Sequence, residues 1–138
     1  MNIVPYLTFD GTCKEAFGFY RDIFGGTLTV QTVGESEVAD EMPAEYSDRV
    51  MHACLQVGDR LLMASDALHG GYETPRGVSI SLQMETPEEA ERVFAALADG
   101  GQVTMPLEKT FWALRFGMVT DRFGTPWMIN CNERECID

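Results

Sequence analysis

Apolar residues recur along this chain at two different spacings, and the two spacings take turns. Between Thr12 and Gly26 the apolar positions Ala16, Phe19, Tyr20, Ile23 and Phe24 fall three and four residues apart, the spacing of one face of an α-helix. Between Thr86 and Gly101 the same spacing returns in Ala90, Val93, Phe94, Leu97 and Ala98. Each stretch opens with a Thr followed three residues on by a Glu, Thr12 with Glu15 and Thr86 with Glu89, the pattern of a reciprocal capping box at a helix start. Each closes on a Gly pair, Gly25 and Gly26 or Gly100 and Gly101, which supplies the left-handed conformation that ends helices. A helix so alike in two places predicts an internal duplication. If the copies are equivalent, Phe19, Tyr20 and Ile23 are buried as Val93, Phe94 and Leu97 are.

The segments between the helices carry strand patterns. Residues 3–10 (IVPYLTFD) are β-rich with Pro5 near the start, and residues 27–33 (TLTVQTV) alternate polar and apolar side chains. Residues 49–57 and 60–66 read as two strands joined at Gly58 and Asp59, a hairpin signal. A Gly-rich link at 67–76 follows, and then the plan restarts with strands within 77–85, 102–112, 113–121 and 121–131. The pattern is βαβββ twice, an α+β fold in a single domain built of two modules, about 1–66 and 77–131. The acidic stretch 34–48, which contains Pro43, is longer than an ordinary connection. It reads as a lid over a pocket or as a solvated loop.

Composition narrows the function. The 138 residues include 22 acidic and 10 basic side chains, a formal net charge of -12, which argues against nucleic acid and anionic membranes as partners. No charged start precedes an apolar segment, and no apolar run approaches the roughly 20 residues of a membrane span. A cytoplasmic protein is expected. Cys13, Cys54, Cys131 and Cys136 show no CxxC spacing, so they read as reduced thiols used as small hydrophobes. No Ser-His-Asp order, phosphate loop, EF-hand spacing or HExxH is present.

Taken together, PYLTF, EAFGFYRDIFGG, RVMHACLQVGDRLLMASD and DRFGTPW resemble the vicinal-oxygen-chelate superfamily of glyoxalases, bleomycin-resistance proteins and ring-cleaving dioxygenases, and within it the PhnB-like branch. The resemblance spans roughly residues 3–131. It implies two modules forming an eight-stranded curved mixed sheet, a cup with the helices outside, and a cavity where metal-dependent members chelate vicinal oxygens of the substrate. The branch is often labelled demethylubiquinone methyltransferase-like, but the chain has no recognisable methyl-donor site. Metal-binding members place His, Glu or Gln at four inward strand positions, which the motifs map to Pro5, Met63, Ser79 and Met128. None is a good ligand for a hard or borderline divalent ion. Slipping each strand by one residue gives Tyr6, Leu62 or Ala64, Val78 or Ile80, and Trp127 or Ile129, still without a ligand set. A cavity with no metal and no cofactor is expected.

Other polar and aromatic strand residues complete the candidate site. His52 is either a cavity group able to exchange protons or hydrogen bonds or a satisfied structural residue. Matching the two module hairpins puts Arg115 opposite His52, as one arm of a ligand clamp or as the partner of a surface carboxylate. Trp112 is a wall for a flat ligand or ordinary packing. Asn130 and Asp66, at the ends of their modules' last strands, are expected at the cavity rim, and His69, among glycines, in solvent. Three functions follow: a metal-free cup binding a small organic molecule, an enzyme of the superfamily, metal-dependent or using His52 as acid or base, or a non-catalytic dimeric partner. A homodimer is expected in each case, since open sheets leave edges and apolar faces to cover.

Overall fold

The computed structural model describes residues 1–132, and Cys136 lies outside the described residues. The chain divides into two compact units, Met1–Glu73 and Thr74–Asp138. The first contains β1 (Tyr6–Phe9), α1 (Cys13–Phe24), β2 (Thr27–Thr32), β3 (Val50–Val57) and β4 (Arg60–Asp66). The second repeats the order with β5 (Ile80–Gln83), α2 (Pro87–Ala98), β6 (Gln102–Glu108), β7 (Ala113–Thr120) and β8 (Pro126–Asn132). Each unit hydrogen-bonds its strands into its own four-stranded mixed sheet, in the order β1-β4-β3-β2 or β5-β8-β7-β6. Within each sheet the module's first strand lies parallel to its last and the other pairs are antiparallel. This is the duplicated α+β plan that the sequence pattern predicts.

Each helix lies on one face of its own sheet, α1 against β3, β2 and β4, and α2 against β7, β8 and β6. The period-two register then sorts the strand residues. Phe9, Ala53, Leu55 and Ala64 are buried under α1, and Val119, Trp127 and Ile129 under α2. Gly117 has a direct cause, because a Cβ there would come within 2.8 Å of both the Phe94 ring and the Leu107 backbone. The Gly pairs do related work in both copies, with Gly26 but not Gly101 also at positive φ. Gly25 and Gly100 adopt φ of 76° and 77°, while a Cβ on Gly26 would run into the Gln56 carbonyl and one on Gly101 into that of Thr120.

The helices differ from expectation at two points. Thr86 caps α2 by accepting from the Glu89 N–H at 3.2 Å, but Thr12 makes no side-chain capping bond at α1. Instead the carboxylate of Asp66, on β4, accepts the Cys13 N–H at 3.1 Å. The buried face of α1 is Cys13, Ala16, Phe17, Tyr20 and Ile23, so Phe17, not Phe19, fills the core. Phe19 is half-buried. Phe17 meets Phe9 and Tyr20 edge-on at 6.2 and 5.5 Å between ring centroids, a favourable aromatic arrangement.

The acidic stretch folds into three short 3-10 turns, Val33–Glu35, Ala39–Glu41 and Ala44–Tyr46. It is tied down at both ends: Val33 N–H donates to the Arg49 carbonyl at 2.8 Å and Gly34 N–H to that of Ser47 at 2.9 Å. Arg49 secures its far end, lying 5.3 Å over the Tyr46 ring and bonding Asp10 and the Ala67 carbonyl.

The packing sets a ranking. Phe17→Ala and Phe94→Ala each lose about 3 to 5 kcal/mol of stability, the usual loss for a buried Phe, and Phe19→Ala clearly less. Urea unfolding measures all three, and a Phe19 loss equal to that at Phe17 would contradict the helix orientation described.

Candidate functional site

In the first module the face away from α1 is assembled from four strands. Registers β1 to β4 and β3 to β4 place Tyr6, Met63 and Cys54 in one row, with Gln31 of β2 opposite His52. The Tyr6 and His52 rings stack across this face with centroids 6.2 Å apart and planes 28° from parallel. Tyr6 is 52 % exposed, and His52, Cys54, Met63 and Ser65 are half-buried. The face combines an aromatic pair, a thioether, a thiol and small polar groups. The expected register is off by one at its start: the residue of β1 paired with Met63 is Tyr6, while Pro5 precedes the strand and gives only its carbonyl to the Met63 N–H at 3.1 Å.

Asp66 has a different place from the expected rim. It is 3 % exposed, and its Oδ1 accepts from the Gly11 and Cys13 N–H groups at 2.8 and 3.1 Å while Oδ2 accepts from Val50 at 2.8 Å. Three charge-assisted bonds use both oxygens and fix the start of α1 and of β3. The neighbouring Cys13 thiol is pushed up to about 12 by burial, with the Asp66 charge adding to the effect. It is a packing group rather than a nucleophile.

In the second module, Arg115 is not on the corresponding face. It is paired with Cys131, on the side of the sheet covered by α2, and its Nε lies 3.1 Å from Glu91 Oε1 of that helix. Matching Thr12 to Thr86 puts Glu91 where the first module has Phe17, so the ion pair fills a position that is aromatic in the other copy. The clamp with His52 therefore fails at its Arg115 arm. Burial pushes the Cys131 thiol up, with Arg115 opposing the shift.

The face away from α2 presents Asn130 and Phe116 as cross-strand neighbours, with Met118 and Met128 one pair along. Asn130 Nδ2 donates to Gln83 Oε1 at 2.9 Å and to Asn132 Oδ1 at 2.8 Å, and Gln83 Nε2 donates to Ser81 Oγ at 3.1 Å. Trp112 meets Phe116 edge-on at 5.4 Å and Phe111 at 4.7 Å. Asn130 is 9 % exposed, and its Oδ1 is buried with no hydrogen-bond partner among the described residues. Such an atom ordinarily costs about 1 to 3 kcal/mol. Ser79 stands just before β5, half-buried, and His69 is exposed in the link.

These residues do not suit the metal of the chelating relatives. Met63 and Met128 offer thioethers and Ser79 a neutral hydroxyl, and Tyr6 rather than Pro5 stands in the first row. Among the described residues no three His, Cys, Asp or Glu side chains come together in a way that could hold an ion. Nor is any helix among the described residues long and apolar enough to cross a membrane.

Sequence reasoning missed a second buried carboxylate. Asp121, 3 % exposed, opens the DRFGTPW motif, and its Oδ1 accepts from Phe123 and Thr125 N–H at 2.8 and 3.1 Å. Its Oδ2 takes the Trp127 indole N–H at 2.8 Å. The motif is thus a self-satisfied turn, and the Asp-to-Trp spacing was the available signal.

Comparison with known proteins agrees with this architecture. The family model for the glyoxalase/bleomycin resistance protein/dioxygenase superfamily matches residues 2–129. Protein YjdN of Escherichia coli strain K12 is 35% identical, covering 94% of this chain and 95% of its own. The solved protein PA1353 from Pseudomonas aeruginosa is 51% identical with a TM-score of 0.88, covering 96% of this chain and 98% of its own. The PhnB protein from Bacillus cereus, named for a 3-demethylubiquinone-9 3-methyltransferase, is 26% identical with a TM-score of 0.76, covering 95% of this chain and 99% of its own.

Replacing Asp66 by Ala strands three backbone donors and lowers stability by at least about 3 kcal/mol. Asp66→Asn, which keeps one acceptor, loses less. Thermal and urea unfolding of both variants check this, and a neutral Asp66→Ala would refute the capping role.

Proposed function

Since this chain belongs to the glyoxalase/bleomycin resistance protein/dioxygenase superfamily, we propose that it binds a small organic molecule without a metal ion, on the sheet faces turned away from its helices. The observation that carries this reading is the chemistry of those faces. They offer rings (Tyr6, His52, Phe116), thioethers (Met63, Met118, Met128) and neutral amides (Gln83, Asn130), which suit an apolar body with a few polar groups. Chelation of a divalent ion needs several imidazole or carboxylate donors held together. The chain's charge of -12 favours neutral or cationic ligands over anionic ones. A second reading, metal-free acid–base chemistry, draws on His52 stacked with the Tyr6 ring, since imidazole both donates and accepts protons. The protein acts in the cytoplasm on this proposal.

Elemental analysis of untagged protein yields far less than one nickel, zinc or manganese per chain after dialysis, and added chelator leaves ligand binding unchanged. An ion near one per chain that resists dialysis would refute the metal-free reading. The ligand is sought by native mass spectrometry of freshly purified protein, and His52→Ala weakens its retention about ten-fold, the equivalent of about 1.4 kcal/mol, with the melting temperature little changed.

We further propose that two chains associate. Val103 and Met105 are each 44 % exposed on the edge strand β6, and Phe111 is 97 % exposed, apolar surface that a partner chain would cover. Sedimentation at micromolar concentration gives twice the 15.4 kDa chain mass, and a monomer mass would count decisively against it.

A further inference from the structure

We infer that the α2-free face of the second module is a subsite for a planar, largely apolar ligand carrying an N–H or O–H donor on its edge, and that Asn130 Oδ1 receives that donor. The inference rests on the small-molecule-binding reading and adds the class of molecule and the atom that recognises it.

The Asn130 side-chain carbonyl has no donor among the described residues. The side-chain amide nitrogen is committed twice, to Gln83 Oε1 and Asn132 Oδ1, and Gln83 Nε2 in turn donates to Ser81 Oγ. Turning this carboxamide over by itself would face its oxygen toward two acceptors and lose both bonds. In this network Oδ1 lies on the side away from Gln83 and Asn132, where it is closed to solvent and has no partner among the described residues. A buried acceptor of this kind is an exception that calls for a specific donor. Hydroxyl, amide and heteroaromatic N–H groups fit it, whereas a carboxylate or phosphate oxygen would meet another oxygen.

The surroundings set the shape of the rest of the ligand. Phe116 is the cross-strand neighbour of Asn130, and Trp112, 48 % exposed, meets Phe116 edge-on at 5.4 Å. The Met118 and Met128 pair lies next along the strands. Aromatic rings and flexible thioethers accept the faces of flat molecules and adapt to their outlines. One polar atom on an apolar floor also gives sharp selectivity, because a ligand lacking the donor leaves that atom buried and unmet.

Indole and 1-methylindole test this directly, as they share a shape and differ by one N–H. Titration of each into isotope-labelled full-length protein, followed by NMR, is expected to give saturable shifts of the Asn130 side-chain amide and the Trp112 indole with indole. Affinity for 1-methylindole is expected to be about ten-fold weaker. In Asn130→Leu the preference for indole falls below about two-fold. Equal affinity of the wild-type protein for both probes, or a preference that persists in Asn130→Leu, overturns the inference. If Asn130→Leu does not fold, the wild-type affinity ratio and the Asn130 amide shift decide alone. Saturable shifts at Tyr6 and His52 without any at Asn130 overturn this subsite but leave the binding reading standing. No saturable shift on either face overturns the subsite and counts against the broader reading as well.

Discussion

The carboxylate of Asp66 gathers three backbone N–H groups from two distant places, the turn into α1 and the first residue of β3. Through it the end of β4 determines where the helix begins and how the long strand enters the sheet. A carboxylate at 3 % exposure is tolerable because both of its oxygens are met by backbone N–H groups. The second module reaches a similar end differently. There Thr86 caps the helix locally, and Asp121 serves the β7 to β8 turn and the Trp127 indole. The two copies share a chain path, while each has its own solution for the backbone groups left over at its corners.

Much of the fold was legible because its causes are local. Apolar spacing of three and four marked both helices, Gly58 and Asp59 marked the hairpin, and the Gly pairs marked both helix ends. Where the structure departs from the local pattern, the deciding contact is long-range. Thr12 and Glu15 match a capping box as well as Thr86 and Glu89 do, yet the Cys13 N–H is taken by an acceptor 53 residues away. Phe17 and Phe19 both fit an amphipathic stripe, and only contact with Phe9 and Tyr20 selects the first.

The candidate site was less legible, for a reason that lies in the strands. A strand's two faces differ by a single residue, and the two hairpins differ in length: β3 closes onto β4 with Val57 paired to Arg60, whereas β7 closes onto β8 with Thr120 paired to Pro126. Counting from the hairpins put Arg115 on the face of His52, but the register sends it to Glu91 beneath α2. Asp66 was expected at a rim because it ends a strand, and nothing in its neighbours announced the three N–H groups waiting for it. Asn130, Trp112, Met63 and Met128 do lie on or beside the helix-free faces of their modules. The feature that sets Asn130 apart, a buried acceptor with no donor among the described residues, depends on Gln83 and Asn132 together and is invisible to any pattern in sequence.

The parallel pairing of β1 with β4 bears on the order in which the first module assembles. The β3 to β4 hairpin closes over two residues, with Val57 paired to Arg60, so its closure costs little chain entropy. β1 has only four residues, paired to a strand at the far end of the module, and gains its place only when β4 already exists as a template. The Asp66 bonds to Gly11 and Cys13 come into being with that same docking event. The N-terminal strand is therefore expected to dock last and to open first. Hydrogen exchange at Leu7, whose N–H faces β4, should run faster than at the centre of β3, giving the module a soft edge beside its stacked Tyr6.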